Sequence, residues 1–358
     1  MTTFLTVFPE CTDMHLGKDI GMIPYHMSKL GYDSFILTYN NDAYNRLQSD
    51  LPGMGVIILP HTLPGPLESV LKRYSQLIDL WNHMLHNARW YDIVELYHMS
   101  PNTLLTAWLY KALNPRGIVH IKLDGTLTKP AMKTYDFLTI ESKSKYEDAV
   151  KMYPDIKILP NGIDLEKLPA PIPYDEKPKL IVHSGRLGDH LKASEIVLNV
   201  FIWIAKDYPE YKLALIGPMT PEFKEYCQAK IKEHDLGERV IMPGYVSDMQ
   251  RLYNYYNQAK FVFMPSRSES WCLTLLECMS LGAVPITSNI PIFKELCADA
   301  GMYCMVDDEA CFENGLRYLL SHDECMIDHS ERSMRLARKY NWKNIALQLD
   351  ALIKEHQQ

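Results

Sequence analysis

The chain has 358 residues, 47% hydrophobic and 23% charged, with a formal net charge of −7. This is the composition of an ordinary globular protein long enough for two domains with a full core each. The acidic balance counts against a general nucleic-acid binder, which needs a basic surface.

No run approaches the roughly 20 apolar residues of a membrane span. The stretch from Met1 to Phe8 is too short and lacks the basic start of a secretory signal. The eight cysteines form no C-x-x-C pair and seven lie in the second half. A reduced cytoplasmic protein without structural zinc is expected, with contact at the inner face of a membrane through a local basic patch left open.

From the start, short apolar runs alternate with helical patterns. Strands are predicted over Thr3–Phe8, Ser34–Thr38, Val56–Leu59, Ile93–Leu96, Ile118–Leu123, Phe137–Ile140 and Ile156–Leu159. Helices are predicted over Asp19–Leu30, Leu67–Ala88, Asn102–Leu113 and Lys143–Met152. This βαβ rhythm implies a mostly parallel sheet covered on both faces. The helix after Leu67 carries Lys72, Arg73, His83, His86 and Arg89 beside Leu71, Leu77, Ile78, Leu80, Trp81 and Leu85. It either touches an anionic membrane or packs on the core with one solvated face.

Residues 168–178 hold four prolines in eleven positions and suit an extended linker. The rhythm then restarts with strands at Leu180–His183, Lys212–Ile216, Val240–Met242, Lys260–Met264 and Val284–Thr287. Helices fall at Ala193–Asp207, Pro221–His234, Met249–Asn257 and from about Trp271 to Leu281. The expected fold is α/β: two doubly wound Rossmann-like domains facing a cleft, residues 1–167 and 179–340. A last helix, Trp342–Lys354, either packs back on the first domain or closes the second.

Glu269 and Glu277 form an E-x7-E pair across the loop after the Lys260–Met264 strand and the following helix. Glu269 is expected at the strand's carboxyl end, the edge where open α/β sheets bind ligands. Glu277 falls a turn or more into the helix. The helix start between them offers free N–H groups and a positive dipole end that can hold a phosphate. The plainer reading of the spacing is a helix cap and a solvated glutamate.

Arg186 and Lys192 lie on the loop after Leu180–His183. Two cations beside a helix start can neutralise a diphosphate and stabilise the charge that grows on it as a bond to a sugar breaks. The plainer reading of Arg186 is a surface ion pair. No D-x-D triplet is present, so a metal-free site with no cofactor is expected. Nothing near Cys272 marks it as a nucleophile.

Gly185-Arg186-Leu187 with Lys192, the pair Glu269 and Glu277, Leu159-Pro160-Asn161-Gly162-Ile163-Asp164, and Gly282-Ala283-Val284-Pro285-Ile286 together resemble glycosyltransferase family 4, retaining enzymes with the GT-B fold. The motif order matches from roughly residue 137 to 345, whereas the first domain is similar mainly in rhythm. The resemblance implies that Arg186 and Lys192 grip the donor diphosphate, Glu269 contacts the transferred sugar and Glu277 binds the ribose hydroxyls. It also implies that the amides around Cys272, Leu273 and Thr274 meet the phosphates and sugar, with Tyr245 and Val246 along the base.

Two departures stand out. Ser270 and Cys272 replace glycines common in the family, which backbone contacts tolerate if φ stays negative. Many members also carry a histidine at the end of the strand that here reads Ile118–Leu123. Here His120 lies inside that strand and Asp124 at its tip, either to orient or deprotonate an acceptor hydroxyl or to cap the turn before Gly125.

After the first strand, Gly17 is placed to let the backbone approach a phosphate or acceptor. Asp13, His15 and Lys18 make that loop polar, with His15 a second acceptor-side candidate. The expected activity is sugar transfer from a nucleotide-sugar donor to a hydroxyl of a glycan or lipid-linked acceptor, in polysaccharide or glycoconjugate assembly. A sugar-nucleotide epimerase or hydrolase, or a non-catalytic nucleotide-sugar-binding subunit, stays open as an alternative.

Overall fold

The computed structural model describes residues 1–39, 50–60, 65–124 and 133–357, with the side chains of residues 13, 14 and 65–73 outside that set. The chain divides into two compact units, Met1–Gly162 with Trp342–Gln358, and Ile163–Asn341.

In the first unit the elements run β1 (Thr3–Val7), α1 (Asp13–Leu16), α2 (Asp19–Lys29), β2 (Asp33–Tyr39), β3 (Gly55–Leu59), α3 (Gly65–Asn87) and β4 (Ile93–Tyr97). They continue through α4 (Pro101–Leu113), β5 (Ile118–Leu123), β6 (Phe137–Ile140), α5 (Lys143–Met152) and β7 (Lys157–Ile158). The sheet order is β3-β2-β1-β4-β5-β6-β7, every pair parallel. Helices cover both faces, so the central strands bury successive residues and read as continuous apolar runs. The chain winds outward from β1 to β3, then returns to lay β4 against β1. That reversal is the sheet's switch point, where doubly wound folds bind ligands beyond the strand ends.

The last helix, Trp342–His356, belongs to this unit. Trp342, Ile345, Ala346, Leu349 and Ile353 form a single apolar stripe, buried with Phe4, Ile36 and Ile93 of the sheet. Tyr32 Oη donates to Asp350 at 2.6 Å on its flank.

The second unit contains β8 (Leu180–Ser184), α6 (Ser194–Ala205), β9 (Lys212–Ile216), α7 (Pro221–Glu233), β10 (Val240–Gly244), α8 (Met249–Gln258) and β11 (Phe261–Met264). They are followed by α9 (Leu273–Ser280), β12 (Val284–Ser288), α10 (Pro291–Cys297), β13 (Met302–Cys304), α11 (Glu309–Ser321) and α12 (Met326–Ala337). Its order, β10-β9-β8-β11-β12-β13, is again parallel throughout and places the switch point between β8 and β11.

The proline-rich stretch, expected as a linker over 168–178, lies within the second unit, which begins at Ile163. Proline carbonyls and the few amides between them need partners, and Asn257 supplies them. Its Oδ1 accepts from Ile172 N at 2.9 Å and its Nδ2 donates to Ala170 O at 2.9 Å. Lys177, buried, donates to Leu281 O at 2.9 Å and to Asn257 O. Among the described residues no helix is long and apolar enough to cross a membrane.

Candidate active site

At the second unit's switch point the loop after β8 and the loop after β11 are locked together. His183, fully buried, bonds Phe263 O through Nδ1 at 2.8 Å and Ser194 Oγ through Nε2 at 2.9 Å. Burial pushes its pKa down to about 4, so the ring is neutral and joins β8, β11 and the start of α6. Gly185 N donates to Ile216 O at 3.0 Å, and beside it Gly217 holds φ +132°, where a Cβ would meet Gly185 O at 1.9 Å. Only glycine fits that crossing.

Farther along, Arg267 N donates to Leu191 O at 2.8 Å. The Arg267 guanidinium reaches Glu195 at 2.7 Å, Asp307 at 2.6 Å and His190 O at 2.6 Å. This fork fastens the loop that ends at Lys192, where Ala193 turns left-handed at φ 50° to start α6. Lys192 Nζ then meets Glu269 Oε1 at 2.5 Å, and Ser266 Oγ donates to the same oxygen at 2.8 Å. Glu269 is only 8% exposed, so this ion pair is shielded from water and held tightly.

The helix start beside this pair is open. Cys272 at the N-cap of α9 gives it no side-chain cap, and the first amides, from Leu273 and Thr274, have no partner within the helix. Cys272 is buried, and burial together with Glu269 pushes its thiol up to about 12, leaving it protonated and unreactive. Glu277 lies a turn farther on, half-buried, and its carboxyl makes no hydrogen bond or ion pair among the described residues. Burial raises its carboxyl to about 8. A carboxyl that costs free energy to ionise and has no partner is poised for a ligand's hydroxyls.

Arg186 is not drawn into the Lys192 pair. Its side chain is 71% exposed and pairs with Asp189 at 2.9 Å. Tyr245 is exposed and Val246 buried just after β10, where Gly244 takes φ +73°.

At the first unit's switch point Asp124 stands beyond β5 and pairs with His98 Nδ1 at 3.1 Å. The turn before Gly125 lies outside the described residues. His15 accepts from Thr12 N at 2.9 Å in a capping box and packs on Phe8 at 5.0 Å; burial and Lys18 lower its pKa. Gly17 has open space where a Cβ would sit and an ordinary φ of −84°, so no neighbour demands glycine there. Asp13 opens α1, its side chain outside the described set.

His15 and Asp124 line one cavity of about 200 Å³ with Lys18, Asp19, His98 and Glu141. Several residues of these sites escaped sequence reasoning, His98 and Arg267 among them. His98 follows the switch-point strand directly, a positional signal that was available. Arg267 gave none, because its partners lie far from it in sequence, at His190, Leu191 and Glu195 and at Asp307. Among the described residues no group of three His, Cys, Asp or Glu side chains is arranged to hold a metal ion.

Two doubly wound parallel units with charged switch points define a protein of the GT-B fold. The sequence profile of the family described as glycosyl transferases group 1 matches residues 164–354, more than half the chain, and the chain belongs to that family.

It is 24% identical over 193 residues to the GDP-mannose:cellobiosyl-diphosphopolyprenol alpha-mannosyltransferase of Xanthomonas oryzae, covering 53% of this chain and 50% of that protein. It thus spans about half the length of several curated relatives it matches. An uncharacterized glycosyltransferase of Haemophilus influenzae is 23% identical over 332 residues, 89% of this chain and 90% of that one. Among solved structures, Anabaena HepE in complex with UDP and glucose superposes with TM-score 0.76 at 13% identity, over 99% of this chain and 100% of that one. Sucrose-phosphate synthase from Thermosynechococcus elongatus gives 0.72 at 16%, over 99% of both chains.

Proposed function

We propose that the protein is a retaining glycosyltransferase that moves a hexosyl or N-acetylhexosaminyl group from a nucleotide sugar to an acceptor hydroxyl, in polysaccharide or glycoconjugate assembly. The observation that carries this reading is the Lys192–Glu269 pair beside the uncapped start of α9, with Glu277 unpartnered one turn on. The amides of Cys272, Leu273 and Thr274 meet the donor's phosphates, Glu277 accepts from the ribose hydroxyls, and Tyr245 with Val246 lies along the base. Lys192 turns from Glu269 to the diphosphate, freeing Glu269 to fix the transferred sugar.

Arg186 joins by leaving Asp189. An exposed pair of that kind contributes under about 1 kcal/mol, so a diphosphate outcompetes it. As the sugar–diphosphate bond breaks, the two cations and the helix start stabilise the departing charge. The incoming hydroxyl takes the face that the diphosphate leaves, which preserves the anomeric configuration. The acceptor side lies in the first unit with Asp124, His15 and Asp13, Gly17 lets the backbone approach the donor's phosphate, and the acceptor is a glycan or a lipid-linked glycan. The reaction needs no metal on this reading, and the enzyme works in the cytoplasm or at the inner face of a membrane.

The experiment is turnover of a panel of UDP-, GDP- and ADP-sugars by wild type, Glu269→Ala and Arg186→Ala, with the product anomer read by NMR. One donor consumed with retention, and lost in both folded variants, supports the reading. Turnover that survives both changes, or an inverted product, contradicts it.

A further inference from the structure

We propose that Cys304 and Cys311 form a reversible redox switch in the second unit: hydrogen peroxide closes them into a disulfide, which slackens the loop that carries Lys192. The effect on a donor rests on the transferase reading above, whereas the thiol pair itself does not. Cys304 ends β13 and is 1% exposed, while Cys311 is half-buried in the first turn of α11. Helix α11 packs on β13, and both cysteines belong to the core that Phe312 and Leu316 complete. The Cys304 thiol lies within hydrogen-bonding reach of the Cys311 sulfur. Cys11, Cys227, Cys272, Cys278 and Cys297 are buried, and Cys325 is exposed. Cys304 and Cys311 thus join a sulfur that an oxidant can reach to a second thiol beside it.

The chemistry balances with peroxide as the oxidant. The Cys311 sulfur attacks the O–O bond, giving a sulfenic acid and one water. The Cys304 sulfur then attacks that of Cys311, the S–O bond breaks, and the departing hydroxide takes the Cys304 proton as a second water. Two thiols lose two hydrogens and the peroxide gains two electrons. Burial, and then Cys311, hold the Cys304 thiol well above its usual range, so it keeps its proton until Cys311 has been oxidised. In a reducing compartment such a disulfide is transient, as a signal requires.

Residues 305–310 between the two sulfurs hold the donor-site loop. Asn289 N donates to Cys304 O at 2.6 Å at one end, and Asp308 Oδ1 accepts from Cys311 N at 2.9 Å at the other. Between them Asp307, left-handed at φ 63°, pairs with Arg267 at 2.6 Å. A left-handed non-glycine residue persists only where its surroundings hold it. A disulfide needs its sulfurs about 2.05 Å apart, closer than two thiols approach, so the start of α11 is drawn towards β13 and Asp307 shifts with it. Arg267 then keeps Glu195 but loses its other carboxylate, and its hold on His190 and Leu191, next to Lys192, weakens.

The test uses the whole chain, reduced, treated with hydrogen peroxide, and treated then returned to dithiothreitol, as wild type, Cys311→Ser, Cys304→Ala and Cys325→Ser. Peptide mapping by mass spectrometry should find the Cys304–Cys311 disulfide in wild type and Cys325→Ser. In those proteins hydrogen exchange should quicken around His190 and Leu191. Nucleoside diphosphate affinity and turnover should fall about 10-fold, at the scale of a misplaced group. Dithiothreitol should restore both, which separates the disulfide from sulfoxide at the exposed Met305. Cys311→Ser and Cys304→Ala should match reduced wild type before and after peroxide.

The proposal is overturned if no Cys304–Cys311 disulfide forms, if it forms with exchange around His190 unchanged, or if Cys311→Ser loses as much as wild type. Failure of reduced wild type to bind or turn over any nucleotide would instead remove the transferase reading. The mapping and the exchange at His190 and Leu191 would then still decide whether the switch exists.

Discussion

The two switch points share a strand order but are finished in opposite ways. Between β8 and β11 the charged groups are paired and fastened: Lys192 to Glu269, Arg267 to Glu195, Asp307 and the His190 carbonyl, with an open helix start beside them. Between β1 and β4 the charged groups surround open space, a cavity of about 200 Å³ whose wall comes from short pieces of many segments. On the proposed reading the contrast follows from the ligands. A diphosphate is the same in every nucleotide sugar and can be met by backbone, dipole and two cations. An acceptor varies, and side chains on loops are what can vary with it.

The largest effect should come from breaking the tight side of this contrast. Lys192→Met and Glu269→Ala should each lower turnover by about 10³-fold, the scale of one lost transition-state contact in a dry site. Removing one member of a shielded pair also leaves its partner uncompensated, at about 3–5 kcal/mol. The Lys192→Met/Glu269→Gln double variant should therefore regain Tm but not activity, as thermal unfolding and turnover measured together would reveal.

Next, Arg267→Met should lower turnover about 30-fold by releasing the loop that carries Lys192, at the scale of a misplaced group. Arg267→Lys should recover stability more fully than rate. A rate that tracks Tm across both variants would reduce Arg267 to a packing role.

Glu277 gives a smaller effect with a definite sign. Its carboxyl lies at about 8 in the folded protein against 4.5 unfolded, so between those values the folded state holds a proton that the unfolded state lacks. That stability is full below pH 4.5 and is lost as pH rises to 8. Glu277→Gln, neutral at every pH, should be more stable than wild type above pH 8 by on the order of 2 kcal/mol, while binding nucleoside diphosphates about 10-fold more weakly. Wild-type affinity should itself rise towards pH 8, with proton release on binding below it, visible by calorimetry in buffers of different ionisation enthalpy. The smallest change is expected for the exposed Tyr245: Tyr245→Ala should weaken binding about fivefold, at the low end of what base stacking contributes.

The contrast also governed what the amino-acid sequence revealed. Strands buried on both faces are continuous apolar runs, so β1, β4, β5, β8 and β11 were visible with ends within a residue or two. The three-residue β13 carries too few residues for any period to register. Helix α9 begins at Leu273 and not at Trp271, because Trp271 is buried against Tyr340 in the preceding loop.

That Glu269 and Lys192 come to the same sheet edge was legible, because their spacing from a strand end and a helix start is local. The pairing of Arg186 with Asp189, in place of a shared grip with Lys192, was not, since an exposed arginine can take either partner at nearly equal free energy. The 168–178 stretch misled for a similar reason: prolines specify an extended chain but not what it lies on, and that was decided by Asn257, some eighty residues away in sequence.

The most direct test of the account is calorimetric titration of wild type, Lys192→Met and the Lys192→Met/Glu269→Gln double variant with UDP, GDP and ADP. The account predicts one nucleoside diphosphate bound per chain by wild type and affinity at least about 10-fold weaker in both variants, as expected for losing a shielded cation–phosphate contact. Equal affinity in all three proteins, or no binding of any diphosphate, would contradict a donor site at the β8–β11 switch point.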